Sequence, residues 1–364
     1  MNQAQIEIQL IALLVSVACA IPGVFLVLRK MAMISDAISH AILPGIVLGF
    51  FAVQNISSPL LVVLAALTGI VTVILVELIN KTALVKEDTA IGLVFPALFS
   101  LGVILISRNA GDVHLDTDAV LTGELAFAPF ERLHIGNMDI GPESLWVMAG
   151  ILVITVVLVL TFYKEIKIST FDAGLAASLG FSPAVIHYSL MTVTSVTTVG
   201  AFNAVGAILV VALMIVPAAT AYLFTRSLKR MLILSVLAGA FSAIAGYWTA
   251  HILDVSISGS IATVLGLLFL VSFVIAPGNG LISSMIRQHH QKLEYLQLTF
   301  LTHISNHSNT DPEENKIGHM TGHFNWEKEK AGRILKMALR NRFVELSDDS
   351  ISLTKTGREY IGQS

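Results

Sequence analysis

An acid and a histidine interrupt an apolar stretch near the start of the chain. Residues 35–45 read Ser-Asp-Ala-Ile-Ser-His-Ala-Ile-Leu-Pro-Gly, and the apolar run continues to Val53. Asp36 and His40 are four residues apart, so a helix places both on one face. Inside a lipid-facing helix these side chains are costly unless they pair, line a cavity or bind a ligand. We therefore expect the rest of the chain to hold this pair within a membrane.

The composition predicts an all-α polytopic membrane protein. Hydrophobic residues make up 55% of the 364 residues, and charged residues make up 13%. Soluble domains carry about 25% charged residues, and several runs here reach the roughly 20 apolar residues that cross a bilayer. Because Cys19 is the only cysteine, an internal disulfide and a thiolate metal cluster are both excluded.

The hydropathy pattern predicts eight or nine transmembrane helices followed by a polar tail. The sixth and seventh candidates are nearly continuous, so one of them could be a re-entrant or broken helix. The candidate spans are Ile6–Leu28, Asp36–Val53, Leu60–Ile79, Ala90–Ser107, Leu145–Tyr163, Ala184–Phe202, Val205–Phe224, Met231–Ile252 and Ile257–Ala276.

Basic residues alternate with bare or acidic loops along the chain. Arg29 and Lys30 follow the first span, whereas the loop at residues 108–144 is strongly acidic. Loops rich in Lys and Arg stay in the cytoplasm. With nine spans the rule predicts an outer N-terminus and a cytoplasmic C-terminal tail in a bacterial cell membrane; with eight, the N-terminus moves inside.

Asp36 and His40 are candidate metal ligands. A carboxylate with an imidazole suits Mn, Fe, Zn or Co better than Mg or Ca. Two ligands are too few for a stable site, which fits a transport site that must release its ion. A second copy of the helix across a homodimer axis would supply the same pair again. The alternative is an intrahelical pair with a packing or proton-relay role.

A short amphipathic stretch at residues 170–180 lies between the fifth and sixth spans. Asp172 can cap the start of a helix there, and Gly180 can end it. On the predicted cytoplasmic face such a helix is either a docking element for a partner or an interfacial loop helix.

The polar tail predicts a small folded domain. Helical patterns at Arg287–Ser305, Trp326–Asn341 and Thr354–Ile361 flank an alternating hairpin at residues 343–353. This order suggests an α+β winged-helix-like domain. We divide the chain into a transmembrane domain at residues 1–281, a helix and His-rich linker at 282–318, and the winged-helix-like domain at 319–364.

Histidines are concentrated in the tail, where two pairs have metal-binding spacing. They are a candidate regulatory site for a metal ion, and an ordinary hydrophilic linker is the alternative. A winged helix usually suggests nucleic acid, but here acids balance the basic residues, so nucleic-acid binding is not expected. The paired positions are His303 with His307 and His319 with His323.

Signatures of an enzyme are missing from the sequence. It has no Gly-x-x-x-x-Gly-Lys-Ser/Thr phosphate loop, no Gly-x-Ser-x-Gly and no His-Glu-x-x-His. We therefore expect a protein that is not an enzyme and leaves any ATP hydrolysis to a partner subunit.

Three blocks of sequence resemble the permeases of manganese, zinc and iron ABC importers, the ABC-3 type. They are residues 29–45, 171–180 and 205–221, in the family's order, and the resemblance covers roughly residues 5–280. It implies a type II ABC importer-like permease, paired with a second copy or a paralogous permease. It also implies that Asp36 and His40 coordinate Mn²⁺, Zn²⁺ or Fe²⁺ in transit, with no permanently bound cofactor.

The resemblance further implies two partners beside membrane lipid. An extracytoplasmic metal-binding protein delivers the ion, and a cytoplasmic ABC ATPase docks on the segment 171–180. The tail at Leu339–Ile361 resembles the winged helix of metal-dependent repressors, and this extension favours manganese. The residues that would couple to the ATPase are Phe171, Asp172, Leu175, Ala176, Leu179 and Gly180.

Three other functions stay open from the residues alone. A proton-coupled secondary metal transporter would use Asp36 as its proton site. A permease for a large metal chelate would need an aromatic-lined path, which the 7% aromatic content does not favour. A membrane-tethered metal sensor would act through the tail.

Overall fold

The fold was analysed in a computed structural model of the chain. The structure describes residues 2–54, 59–109, 125–135, 138–278, 280–307, 326, 328–347 and 350–362. The chain divides into two compact units, residues 1–279 and 280–364. They are described in turn.

The first unit is a helical bundle with a small hairpin. Its helices are α1 Gln3–Leu28, α2 Met33–Ala41, α3 Leu43–Val53, α4 Pro59–Lys81, α5 Glu87–Asn109, α6 Glu143–Thr161, α7 Tyr163–Phe171, α8 Ala173–Ser178, α9 Pro183–Val205, α10 Ala207–Phe224, α11 Leu228–Leu253 and α12 Ile257–Ile275. A 3₁₀ turn, Ala128–Phe130, precedes an antiparallel pair, β1 Arg132–Ile135 and β2 Met138–Pro142.

The predicted polytopic all-α architecture is confirmed. Within the described ranges, nine helical segments are long and apolar enough to cross a membrane. They coincide with the nine predicted spans to within a few residues. The near-continuous sixth and seventh spans are two separate helices, α9 and α10. Gly206 lies between them with φ of 81°, a conformation that glycine adopts without steric cost.

Helix α1 is the centre of the bundle. It packs against α6, α9, α10 and α11, and Ile11, Val15 and Cys19 on it are fully buried. Lipid cannot drive apolar helices together, so close packing depends on small residues. Gly23 and Gly246 show this, because a methyl group at either position would collide with the facing backbone of Met214 or Ile261.

Contacts at the two ends of the bundle agree with the predicted alternation of loops. At one end, Arg132 of the hairpin contacts Glu7 at the start of α1. At the other end, Arg29 after α1 contacts Thr170 of α7 and His187 of α9. The first and fifth spans therefore end on the same side. That this side is cytoplasmic remains a prediction from the charge pattern.

The second unit has its own hydrophobic core. It contains α13 Leu281–His307, α14 Lys328–Arg340, β3 Val344–Ser347, β4 Ser350–Leu353 and α15 Lys355–Gly362. The strands pair antiparallel, with Val344 opposite Leu353. Phe300, Ile304 and Ile334 are buried between them and the helices. The predicted order of helix, hairpin and helix is confirmed, whereas the winged-helix assignment and the three domain boundaries remain predictions.

Candidate functional site

Asp36 and His40 lie one helical turn apart on α2 and contact each other. Asp36 Oδ1 and His40 Nε2 are 3.5 Å apart. Their side chains are 37% and 34% exposed, although Ile38 between them is fully buried. A carboxylate oxygen and an imidazole nitrogen at this separation can bind one cation together.

The helix that carries the pair ends immediately after it. Helix α2 stops at Ala41 and α3 starts at Leu43, so the segment predicted as one span from Asp36 to Val53 is broken at Ile42. Pro44 has no N–H group, so the His40 carbonyl receives no helical hydrogen bond from it. The break next to the pair therefore has a local cause.

Two buried serines lie on the face of α2 next to the one that carries the pair. The Ser35 hydroxyl donates to Met214 Sδ at 3.1 Å, and the Ser39 hydroxyl donates to the Ser35 carbonyl at 3.0 Å. Thr198 also donates to the Met214 sulfur, at 3.6 Å. Both serines are buried. Ser35 therefore fixes one face of α2 against Met214 of α10, and the candidate ligands lie on the neighbouring face.

The described residues cover the face of α2 with the candidate ligands only in part. Met33 is 50% exposed on the same face, and the ring of Phe95 from α5 lies 5.8 Å from that of His40. Among the residues that the structure describes, no group of three or more His, Cys, Asp or Glu could hold a metal ion. The described part of one chain therefore brings together two candidate ligands, on a partly exposed face.

The predicted coupling segment forms a capped helical turn on the surface. The Asp172 carboxylate accepts from the Leu175 N–H at 2.9 Å, which confirms it as the N-cap of α8. The turn closes at Gly180, whose φ is 86°. Ala176 is fully buried, whereas Phe171, Leu175 and Leu179 are each about half exposed. The segment thus presents an apolar ridge.

An ion-pair cluster joins the hairpin to the first helix at the opposite end. Arg132 pairs with Glu7 at 3.2 Å and also contacts Asp139. The pKa of Asp139 is lowered by the Gly141 N–H and then by Arg132, and the pKa of Arg132 is raised chiefly by Asp139. Both groups are therefore charged throughout the physiological range.

The tail histidines are placed only in part. His303 lies on α13 beside the buried Phe300 and Ile304, and His307 is the last residue of that helix. His319 and His323 lie outside the described residues, as does much of the acidic loop. The regulatory metal site remains a prediction.

Sequence reasoning missed a polar cluster at the end of the bundle that holds the coupling segment. It joins Arg29, Thr170, His187 and Glu77. Glu77 and His187 both lie within apolar spans, where ionisable residues are functional candidates. That signal was present in the sequence, but their proximity was not, since more than a hundred residues separate them.

The chain was compared with known proteins. A family model described as the ABC 3 transport family matches residues 3–276. The chain belongs to this family. The zinc transport system membrane protein TroD of Treponema pallidum is 45% identical over 353 residues, which cover 96% of each chain. The manganese transport system membrane protein MntD of Bacillus subtilis is 45% identical over 281 residues, 77% of this chain and 95% of its own length.

A solved structure is also similar to this member of the ABC 3 transport family. PsaBC from Streptococcus pneumoniae in complex with Fab aligns with a TM-score of 0.64 at 30% identity, over 77% of this chain and 94% of that chain. These findings confirm the predicted resemblance and the multi-pass permease architecture. A transport family of ABC type also does not favour the secondary-transporter and tethered-sensor alternatives.

Proposed function

We propose that the protein is the permease subunit of an ATP-driven importer of a divalent transition-metal cation. The observation that carries the proposal is the Asp36–His40 pair, 3.5 Å apart on a partly exposed face of a membrane helix. Membership of the ABC 3 transport family and the names of the relatives in Treponema pallidum and Bacillus subtilis support the substrate class.

The pair is best understood as half of a binding site. A transition-metal ion takes at least four ligands in most protein sites, and the described part of one chain brings two together. A second permease protomer, either another copy or a paralogous permease, would place its own carboxylate and imidazole opposite. The ion would exchange most of its water for two carboxylate oxygens and two imidazole nitrogens. The carboxylates would supply the negative charge that makes a dehydrated dication tolerable in the membrane.

Import follows from alternating access to this shared site. An extracytoplasmic binding protein delivers the ion to the outer end of the bundle. A cytoplasmic ATPase docks on the exposed ridge of Phe171, Leu175 and Leu179 and moves it during its cycle. The permease has no phosphate loop of its own, so the nucleotide chemistry lies in that partner. The permease supplies the path and the ligands.

Within the class of divalent transition metals, two ions remain as candidates for the cargo. The tail extension favoured manganese, yet the relative that aligns across the tail is named for zinc. The ligand set accepts Mn²⁺, Fe²⁺ and Zn²⁺ alike. We propose Mn²⁺ or Zn²⁺ as the cargo, to be separated by uptake of each radioactive ion in competition with the other.

The binding pair is tested by uptake in cells that lack their own importers. The permease is expressed with its ATPase and binding protein, and accumulation of ⁵⁴Mn²⁺ and ⁶⁵Zn²⁺ is measured. Asp36→Ala and His40→Ala should each reduce uptake to background while the complex still assembles. Matched controls are Asp88→Ala and His289→Ala, which remove an exposed acid and an exposed histidine elsewhere. Near-normal uptake by either pair variant would overturn the assignment.

The docking ridge is tested by recovery of the ATPase with the affinity-tagged permease. Leu175→Glu places a charge on the ridge, so the ATPase should be lost from the purified complex. The matched control is Val255→Glu, also about half exposed, in the loop that the predicted topology places outside. Equal recovery with both variants would contradict docking at this segment.

A secondary transporter would behave differently in one simple experiment. The purified permease alone in liposomes should not accumulate metal, with or without a proton gradient. Proton-driven accumulation by the permease alone would support that alternative instead.

A further inference from the structure

Arg29 connects three elements at the end of the bundle that carries the coupling segment. Its guanidinium donates to Thr170 Oγ1 from Nε at 3.4 Å and from Nη2 at 3.3 Å. Nη2 is also 3.5 Å from Ser169 Oγ, and Nη1 is 3.2 Å from His187 Nδ1. Thr170 and Ser169 belong to the end of α7, and His187 lies in the first turns of α9.

Arg29 also determines which nitrogen of His187 carries the proton. A guanidinium can only donate, so Nδ1 of His187 accepts and the ring proton of the neutral imidazole is on Nε2. That Nε2 faces Glu77 Oε2 at 3.9 Å. This separation is about 1 Å longer than an ordinary hydrogen bond, and both atoms are buried without a closer hydrogen-bond partner in the described part of the chain.

Glu77 belongs to α4 and is held there by its other oxygen. Lys81, one turn later, lies 2.9 Å from Glu77 Oε1. Arg29, His187 and Glu77 therefore form a row that leads from the end of α7 across α9 to α4. A short movement of Arg29 or His187 would close or widen the gap to Glu77.

Each end of this row joins an element with a proposed role. Thr170 is two residues before Asp172, the N-cap of the coupling helix α8. At the other end of the row, α4 packs closely against α2 and α3, the segment that carries Asp36 and His40. Gly45 of α3 lies against the backbone of Leu64, and Gly69 of α4 lies beside Ile38 of α2. Tightly packed helices move as bodies rather than by deforming locally.

We propose that Arg29, His187 and Glu77 are positioning residues that transmit movement of the coupling segment to α4, and through α4 to the helix of Asp36 and His40. The proposal rests on the proposed ATPase docking at residues 171–180. When the coupling segment moves, the hydrogen bond to Thr170 shifts the Arg29 guanidinium. His187, which is bonded to the same guanidinium, shifts with it, and its contact with Glu77 forms or breaks. None of these three residues touches the cargo.

The test measures coupling in the intact complex reconstituted in proteoliposomes. ATP hydrolysis and ⁵⁴Mn²⁺ or ⁶⁵Zn²⁺ uptake are measured together, and the ratio of ions transported to ATP hydrolysed is compared. Arg29→Ala should lower this ratio by about tenfold, which corresponds to about 1.4 kcal/mol of lost coupling, while ATPase recovery and hydrolysis persist. Arg29→Lys should restore it only in part, because an ammonium lacks the fork that reaches Thr170 and His187 together.

Two further variants keep the test decisive. Thr170→Val removes the acceptor hydroxyl at constant shape and should lower the ratio in the same direction, even if Arg29→Ala assembles poorly. Arg226→Ala removes an exposed arginine from another loop on the same predicted face and should leave the ratio unchanged.

The outcomes separate this inference from the proposed function. If the wild-type complex does not transport metal, or the ATPase does not bind, the proposed function fails. If the wild type transports and both Arg29→Ala and Thr170→Val retain its ratio, the positioning network is refuted. A parallel fall of uptake and hydrolysis at constant ratio would also refute it, since that pattern means lost assembly rather than lost coupling.

Discussion

The hydroxyl of Ser35 donates to the sulfur of Met214 at 3.1 Å in the buried centre of the bundle. Ser35 precedes the candidate ligand Asp36, and Met214 lies on α10 against the central helix α1. The orientation of the face that carries Asp36 and His40 therefore depends on packing around Met214, although Met214 itself is fully buried.

The closest packing around Met214 is at Gly23, and it predicts a severe effect of one methyl group. In Gly23→Ala the new Cβ would collide with the Met214 backbone carbonyl, which cannot move as a side chain can. We expect the yield of detergent-extracted, monodisperse protein to fall several-fold, in line with overpacking costs of about 1–3 kcal/mol. Gly150→Ala is the control, because a methyl group there meets no atom within 4 Å. Equal yields for both would contradict the packing.

The N-cap at Asp172 predicts a graded effect on coupling. Asp172→Ala removes the acceptor of the Leu175 N–H, and loss of such a cap costs about 1 kcal/mol of local helix stability. The ridge of Phe171, Leu175 and Leu179 should then be held less firmly. Stimulation of ATP hydrolysis by metal-loaded binding protein should therefore fall. Asp172→Ser keeps a capping oxygen and should retain most of the stimulation. Identical behaviour of the alanine and serine variants would show that the cap has no role.

The hairpin of β1 and β2 should resist mild acid. The pKa of Asp139 is lowered in the folded protein, chiefly by the Gly141 N–H and by Arg132. A carboxylate with a lowered pKa stabilises the fold above its unfolded pKa, about 3.9, and loses this contribution as the pH falls below it. Hydrogen exchange of the amides in residues 132–142 should therefore show equal protection at pH 7 and pH 5, after correction for the intrinsic rate.

Replacing the Asp139 carboxylate should weaken the hairpin at constant pH. Asp139→Asn lacks the carboxylate that contacts Arg132, so we expect faster exchange in the hairpin at pH 7. Asp88→Asn, on an exposed first turn elsewhere, should leave the hairpin unchanged. Loss of protection already at pH 5 in the wild type would contradict the lowered pKa.

The tail should be dispensable for transport itself. It forms a separate unit with its own core, and the relative from Bacillus subtilis is aligned over 95% of its length by 281 residues of this chain. A variant ending at residue 279 should keep uptake within about twofold of the full chain, a difference of less than 0.5 kcal/mol. Loss of uptake with intact membrane insertion would assign the tail an essential role.

The sequence alone determined much of the architecture, because its signals are local. Apolar length and hydropathy mark each span, and Pro44 and Gly206 mark the breaks at the places where the helices end. The four-residue spacing of Asp36 and His40 put both on one face before any packing was known. The cap at Asp172 and the tail hairpin were equally readable, since each depends on neighbours within a few residues.

Only the tertiary structure decided which polar groups meet. Arg29 lies 158 residues from His187, and Glu7 lies 125 residues from Arg132. No sequence periodicity predicts such pairs, because they depend on how the apolar helices pack against one another in the bundle. That the face of Asp36 and His40 is left partly exposed, while Ser35 turns inward to Met214, was decided in the same way. The sequence thus named the candidate pair, and the packing of the helices decided how much of it stays exposed.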